Sequence, residues 1–374
     1  MRFVVTTAPG LEALLAQELT ELGLPELETA PAAVAFEGEW EHAARVLVRS
    51  RIASRVLKSI RGFSARSEAM LYDQVRRIPW PELVRPNQSI AVFAHGTTVG
   101  TSYPLHFAPL KIKDAICDEI RKRGQERPDV NRARPDVRIE GLFAGRRCEL
   151  SVDLTGEPLH RRGWRLEGGE APLREHRAAA LLRFAGIAEG RPFIDPFCGS
   201  GTIAIEAALI ATRRAPSLTR PLDGFACVRS FPESRQALAI EQDRALGEVS
   251  AAPLFTVRAS DVSEEMLATA RSNASRAGVL ETIDFQLADA RLLEAPGALV
   301  ATNPPYGERL ASVADAGALI SDFTRQLKHH AKGARLALVL PRGPLEKAVG
   351  LKPSAKLAVE NGPIPSRFLT FDLY

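Results

Sequence analysis

Apolar residues recur along this chain in two rhythms, and the rhythm changes near Arg177. Phe3-Val-Val-Thr-Thr7 opens as a strand. Leu11, Leu14, Leu15, Leu19 and Leu22, with Glu18 among them, then share one helical face that Gly23 and Pro25 close. Val34-Ala-Phe36 alternates like a strand, and a helix from Trp40 to Ser50 turns Ala43, Ala44, Leu47 and Val48 inward. This is a small α+β unit with short connections.

A middle segment starts near Glu68. Ser89 to Ala94 reads as a strand and Pro109 to Arg123 as a helix, with Ile112, Ala115, Ile116 and Ile120 at helical spacing. Lys111, Lys113, Arg121, Lys122 and Arg123 lie on its other positions and are the candidate contacts for an RNA backbone, although a basic helix beside a sheet would equally well suit no partner in particular. Val137 to Phe143 and Cys148 to Leu154 alternate like paired strands about an Ala144-Gly145 turn. Glu167-Gly-Gly-Glu170 is a plausible hinge to a longer C-terminal domain.

From Arg177 onward short strands alternate with helices. Strands are expected at 191–195, 254–259, 283–287, 298–302 and 334–340, and helices at 202–211 and 264–277. That alternation predicts a parallel, doubly wound sheet, whose ligand sits beyond the carboxyl ends of the strands. Three domains are expected: residues 1–66, 67–165 and 166–374.

Composition narrows the setting. The 374 residues are 45% hydrophobic with a net charge of +4, enough for sizeable cores and mildly favourable to a polyanionic partner. Cys117, Cys148, Cys198 and Cys227 show no CxxC or metal-ligand spacing, which predicts a reducing compartment and no metal. The first residues lack a signal-peptide core, and no apolar run approaches membrane-spanning length, so a cytoplasmic protein is expected. From Arg45 to Arg66 there are seven basic residues and no acid. This run reads either as a solvated helix–strand face or as a phosphate-contacting surface.

The candidate chemistry sits at the predicted strand ends. Asp195-Pro196-Phe197-Cys198-Gly199-Ser200-Gly201 ends one strand and opens a helix. Its glycines permit close backbone approach and the helix start offers free N–H groups. The loop has neither a Walker Lys-Ser/Thr nor the three glycines of the dinucleotide fingerprint. Asp195 suits a cationic or amino-bearing ligand better than a pyrophosphate. Asp261 can accept from ribose hydroxyls or serve as a helix N-terminal acid, and both roles can hold together. Asp289 can pair with an adenine amino group or be a turn residue. In Asn303-Pro304-Pro305-Tyr306 two prolines fix the backbone, so the Asn303 oxygen and the Pro304 carbonyl become preset acceptors for an exocyclic amine. Tyr306 offers a face on which a flipped base can stack. The plain alternative is a proline-rich loop with its aromatic in a core.

Two resemblances rest on these strings. Leu105 to Ile116, Arg127 to Val130, Arg134 to Ile139 and Leu150 to Trp164 resemble a THUMP domain. Such domains bind structured RNA together with a preceding ferredoxin-like unit, which implies an N-terminal RNA-docking module. Asp195 to Gly201 with Asn303 to Tyr306 resembles class I S-adenosylmethionine-dependent methyltransferases of the amino-methylating group. The resemblance implies a Rossmann-like, mostly parallel seven-stranded sheet. It implies Asp195 to Gly201 around the methionine part of the cofactor, Asp261 on the ribose, Asp289 on the adenine and Asn303 to Tyr306 on the target amine.

Ala171 to Ala180, Arg214-Ala-Pro216, the ending Gly307-Glu-Arg309 and Asn361-Gly-Pro-Ile364 narrow the likeness to bacterial large-subunit ribosomal RNA guanine-N2 methyltransferases, over nearly the whole chain. Members often carry a second methyltransferase domain behind this one, and the chain is expected to be one of the shorter members. It departs from the pattern at Ser263, where a second acid is common, and at His176, where a small polar residue or Asn is usual. The expected activity is guanine-N2 methylation of ribosomal RNA by a monomer or weak dimer. The competing readings are the same chemistry on transfer RNA, adenine-N6 methylation of DNA, and an RNA-binding or assembly protein without catalysis.

Overall fold

The computed structural model describes residues 1–165, 173–306, 312–362 and 364–374. The proposed hinge at Glu167–Glu170, the Ala171-Pro172 start of one family string, the Gly307–Arg309 ending and Pro363 lie outside the described residues. Two seven-stranded sheets organise the rest.

The first sheet is built from β1 (Arg2–Thr6), β2 (Glu28–Ala30), β3 (Ala33–Glu37), β4 (Arg55–Ser64), β5 (Ile90–Thr97), β6 (Val137–Ala144) and β7 (Arg147–Asp153), in the order β2-β3-β1-β4-β7-β6-β5. All pairs are antiparallel except β5 with β6. Period-two alternation sends Phe3, Val5, Val34 and Phe36 to one face, under Leu15, Leu19 and Leu47 of the helices at 12–21 and 40–49. Val4, Ala33, Ala35 and Leu57 form a separate cluster on the other face. β4 pairs with β1 on one side and β7 on the other, so the ferredoxin-like and THUMP-like parts share one sheet.

The second sheet holds β8 (Phe193–Asp195), β9 (Val257–Asp261), β10 (Ile283–Leu287), β11 (Leu299–Thr302), β12 (Arg335–Pro341), β13 (Ala355–Asn361) and β14 (Ile364–Asp372). Its order is β10-β9-β8-β11-β12-β14-β13, parallel through β12 and antiparallel at β14 and β13. Successive residues go to opposite cores. Phe193, Leu299 and Val339 join the cluster that also contains Phe3, while Ile194, Val300 and Leu338 join a second cluster with Ile320 and Phe323. The expected doubly wound sheet is therefore present. One strand is displaced from its expected place at 254–259 to 257–261, because Val257 pairs with Phe193 and Ala259 with Asp195, which carries the strand on to Asp261.

The basic run from Arg45 to Arg66 is neither mainly solvated nor mainly a phosphate surface. Arg49 is ion-paired with Glu241 and Glu248 of the C-terminal half, and Arg55 with Asp153. Arg51 donates to the carbonyls of Leu209 and Arg214, at 3.1 and 2.7 Å. Lys58 lies over the Phe231 ring, 4.4 Å from its centroid. The acids and carbonyls that receive these cations lie up to about two hundred residues away, as with the 199 positions from Arg49 to Glu248. The run joins the two halves.

Candidate active site

β8 and β11 are adjacent strands at the point where the strand order reverses, and the candidate residues cluster there. Asp261 and Asp195 end β9 and β8, and Asp289 and Asn303 come just after β10 and β11, so all four lie at the carboxyl ends of neighbouring strands. They line one cavity of about 550 Å³, together with Pro196 to Ser200 and Pro305. Leu173, Ile203, Val262, Met266 and Leu319 supply its apolar wall. That size and mix suit a ligand of nucleoside dimensions.

Asp195 is buried, 1% exposed. Its carboxylate accepts from Thr302 Oγ1 at 2.7 Å and from the Phe197 backbone N–H. Burial pushes its pKa up to about 7, and the nearby Asp261 charge pushes the same way. The loop after it is tied at two points. Gly199 N donates to Asp261 Oδ2 at 2.9 Å, and Ser200 O accepts from Asn273 Nδ2 at 3.0 Å. Gly199 has φ +52° and a side chain there would meet nothing within 4 Å, so its backbone is open to a ligand. Gly201 (φ +86°) serves packing instead. A Cβ there would lie 3.0 Å from Ala270 Cβ, so Gly201 lets the helix at 264–277 close against the helix at 202–211. Cys198 is buried, and burial pushes its thiol up, so it stays neutral.

Asp261 does not cap the next helix. Ser263 does, its Oγ accepting from Met266 N at 3.2 Å, while Asp261 Oδ1 accepts from Ser263 N at 3.0 Å. The residue that departs from the family pattern thus has a structural role of its own. Asp289 behaves as a turn residue. It accepts from Arg291 N at 2.8 Å and forms a two-oxygen ion pair with the Arg291 guanidinium, which lowers its pKa. Both side chains still line the cavity.

Asn303 Oδ1 is buried and has no hydrogen-bond partner among the described residues. A buried acceptor in that state is unusual in a native protein, and here it belongs to a residue of the cavity wall. Pro304 is buried behind it, and half-buried Tyr306 packs against the second core cluster. The Tyr306 ring contributes to a core, as the plain alternative expects, and the Asn303 oxygen is left unpaired among the described residues.

Several residues here carry no motif. Thr302 links the two strings by its bond to Asp195. Asn273 is fully buried and also accepts from Arg276 Nη2 at 2.6 Å. A buried Asn on the apolar stripe of Leu267, Ala270 and Ala274 is the signal that could have marked it. Arg165 donates to Thr202 Oγ1 at 2.6 Å and pairs with Glu175 at 3.3 Å, holding the chain after β7 against the cofactor-loop helix. His176 lies elsewhere. It is 2% exposed and packs on His160, ring centroids 4.9 Å apart, and burial pushes both imidazoles down.

The candidate RNA contacts divide. Lys111 and Lys113 are paired with Glu68 and Asp114, at 3.5 and 2.8 Å. Arg121, Lys122 and Arg123 are exposed at the C-terminal end of their helix, with Arg123 held 3.1 Å from Glu119. No helix among the described residues is long and apolar enough to cross a membrane.

The cavity fits S-adenosylmethionine. Three carboxylates against one arginine suit a cationic sulfonium compound with an amino group, and the apolar wall suits its adenosine. Known proteins identify the family. Residues 162–369 match the RMKL-like methyltransferase domain, residues 2–57 the RlmL ferredoxin-like domain and residues 65–153 the THUMP domain. The chain is 37% identical to the ribosomal RNA large subunit methyltransferase K/L of Syntrophotalea carbinolica, over 100% of this chain and 54% of that protein. It is 35% identical to the same-named protein of Aliivibrio salmonicida, over 97% of this chain and 52% of that one. It thus spans about half the length of these relatives.

Crystal structures that align over 100% of the chain include the following two. One, from Listeria monocytogenes, is described as a predicted N6-adenine-specific DNA methylase (25% identity, TM-score 0.87, 96% of that chain covered). The other is TrmN from Thermus thermophilus (26% identity, TM-score 0.73, 99% covered). With its ferredoxin-like, THUMP and methyltransferase parts all matched, the chain belongs to the RMKL-like family of S-adenosylmethionine-dependent methyltransferases.

Proposed function

We propose that this protein methylates the exocyclic N2 amine of a guanine in structured RNA, with large-subunit ribosomal RNA as its substrate. The observation that carries the amine assignment is the buried, unpartnered Oδ1 of Asn303 in the wall of the cavity. S-adenosylmethionine supplies an electrophilic methyl group there. The nitrogen of a base amine is a poor nucleophile, because its lone pair is delocalised into the ring. Asn303 Oδ1 and the Pro304 carbonyl accept hydrogen bonds from its two N–H groups and favour a pyramidal nitrogen with its lone pair free. Asparagine is no base at neutral pH, so the acceleration comes from positioning and from fixed dipoles. Asp195, Asp261 and Asp289 hold the cofactor, and Tyr306 stacks on the flipped base.

The ribosomal substrate rests on the relatives named for it and on the THUMP match. Residues 1–66 and 67–165 act as the docking module and residues 166–374 as the catalytic one. Arg121, Lys122 and Arg123 meet phosphates, and Lys111 and Lys113 contribute once released from their acids. Asn303→Ala tests the clamp. Methyl transfer should be abolished while cofactor and RNA affinities stay near wild type. Unchanged turnover would remove the amine role, and a wild-type chain with no turnover on any RNA would favour the non-catalytic reading of this half.

A further inference from the structure

A second cavity, of about 440 Å³, opens where the segment after β7 meets the methyltransferase half. Five arginines line it, Arg161, Arg162, Arg214, Arg220 and Arg276, against a single acid, Glu157. Most of these cations have structural partners. Arg162 is fully buried against Glu206 at 3.1 Å. Arg220 donates to the carbonyls of Thr155, Glu157, Pro158 and Arg161. Arg276 donates to Trp164 O at 2.7 Å, and Arg161 pairs with Glu157 at the exposed rim. Burial, with a smaller push from the Arg162 charge, brings Arg220 down to about 10.

Two donors in the same wall are left over. The Arg214 guanidinium has no hydrogen bond or ion pair among the described residues and lies over Gly278. Trp164 is 4% exposed, lines the cavity, and its indole Nε1 is buried with no acceptor among the described residues. A cavity rich in donors and cations, with a buried donor unsatisfied, is complementary to an anionic oxygen. One uncommitted guanidinium matches the single charge of a phosphodiester better than the larger charge of a free or terminal phosphate. The rim pair, Glu157 and Arg161, is 53% and 68% exposed, so the mouth is open to a polymer.

We propose that this cavity binds a backbone phosphate of the RNA substrate, with Arg214 and Trp164 Nε1 as its donors. The assignment rests on the proposed RNA substrate. It places a phosphate contact on the catalytic half, against the chain that joins it to the docking module. The same wall reaches the cofactor loop, since Arg276 links Trp164 O to Asn273, which holds Ser200 O.

The test measures binding of a fluorescently labelled, unmodified large-subunit ribosomal RNA hairpin to the full chain across a range of KCl concentrations. Arg214→Ala should weaken binding roughly tenfold at low salt. It should also lessen the slope of log affinity against log salt by about 0.7–0.9, the share of one phosphate. Arg214→Lys should keep the slope. Trp164→Phe should weaken binding with the slope unchanged, and every variant should keep wild-type cofactor affinity. Arg214→Ala with wild-type affinity and slope would overturn the site. So would inorganic phosphate protecting the wild type, but not Arg214→Ala, against thermal unfolding while RNA affinity stays equal, because that outcome assigns the cavity to a free anion. A wild-type chain that binds no RNA removes the proposed function itself, whereas variants that bind as well as wild type remove this site alone.

Discussion

Thr302 Oγ1 donates to Asp195 Oδ1 across 2.7 Å, and this bond joins the proposed cofactor loop to the proposed amine clamp. Both side chains are buried, Thr302 at 0% and Asp195 at 1% exposure. Replacing Thr302 by Val keeps the shape and removes the donor. The carboxylate then loses a partner in a place water does not reach, at a cost of about 1–3 kcal/mol. Denaturant unfolding should show that loss for Thr302→Val and most of it recovered in Thr302→Ser. Equal stability of wild type and Thr302→Val would show the bond to be inert.

The pKa of Asp195 gives a pH dependence with a definite sign. Burial raises it from 3.8 to about 7, against the opposing hydrogen bonds from Thr302 and the Phe197 N–H. A carboxyl that holds its proton more tightly when folded adds stability that is full below its unfolded pKa. That stability is lost as pH rises through the folded one. The ligand-free protein should therefore lose this contribution between about pH 4 and about pH 7, and Asp195→Asn should not. Cofactor affinity should run the other way, rising from about pH 6 to about pH 8 as Asp195 ionises opposite a cationic amino group. Calorimetric titration at both pH values checks this, and a flat profile would contradict the Asp195 assignment.

Asn273 supplies a third prediction. It holds Ser200 O and is itself held by Arg276, yet it does not line the cavity. Asn273→Ala should loosen the cofactor loop, lowering cofactor affinity several-fold with RNA affinity at low salt unchanged. Asn273→Asp, which cannot donate to Ser200 O, should resemble it. A loss of both affinities together would point to general misfolding instead.

Much of this arrangement was legible because local signals were strong. The helix at 264–277 lies where Leu267, Ala270, Ala274 and Ala277 repeat, between the Ser263 cap and Gly278. The loop at Asp195 and the clamp at Asn303 were visible because glycines and prolines restrict the backbone at strand ends. What was missed depends on partners distant in sequence. β4 carries Arg55, Lys58 and Arg61 among its apolar residues, and its strand character comes from pairing with both β1 and β7. The basic run could not show that Arg49 and Arg51 face Glu241 and Glu206. Asp289 read as either cofactor contact or turn residue, and Arg291 two positions on decides its local geometry.

The joint between the halves makes the fourth prediction. Arg162 and Glu206 are an ion pair with both side chains fully buried, and Arg162 also donates to Arg51 O at 2.6 Å. Arg162→Met leaves the buried Glu206 charge with only Arg51, 4.0 Å away, as counter-ion, at a cost of up to about 3–5 kcal/mol. Arg162→Met combined with Glu206→Met should recover most of that loss in thermal unfolding. Additive losses in the double variant would show that the two residues act independently.

The central claim is that Asn303 presents its oxygen to the N2 amine of a guanine in ribosomal RNA. Its most direct test incubates the protein with radiolabelled S-adenosylmethionine and, separately, unmodified large-subunit ribosomal RNA, transfer RNA and DNA, then digests each to nucleosides and identifies the labelled one. The account predicts label in N2-methylguanosine from ribosomal RNA, and none there with Asn303→Ala. Label in N6-methyladenosine, in transfer RNA alone or in DNA alone would contradict it.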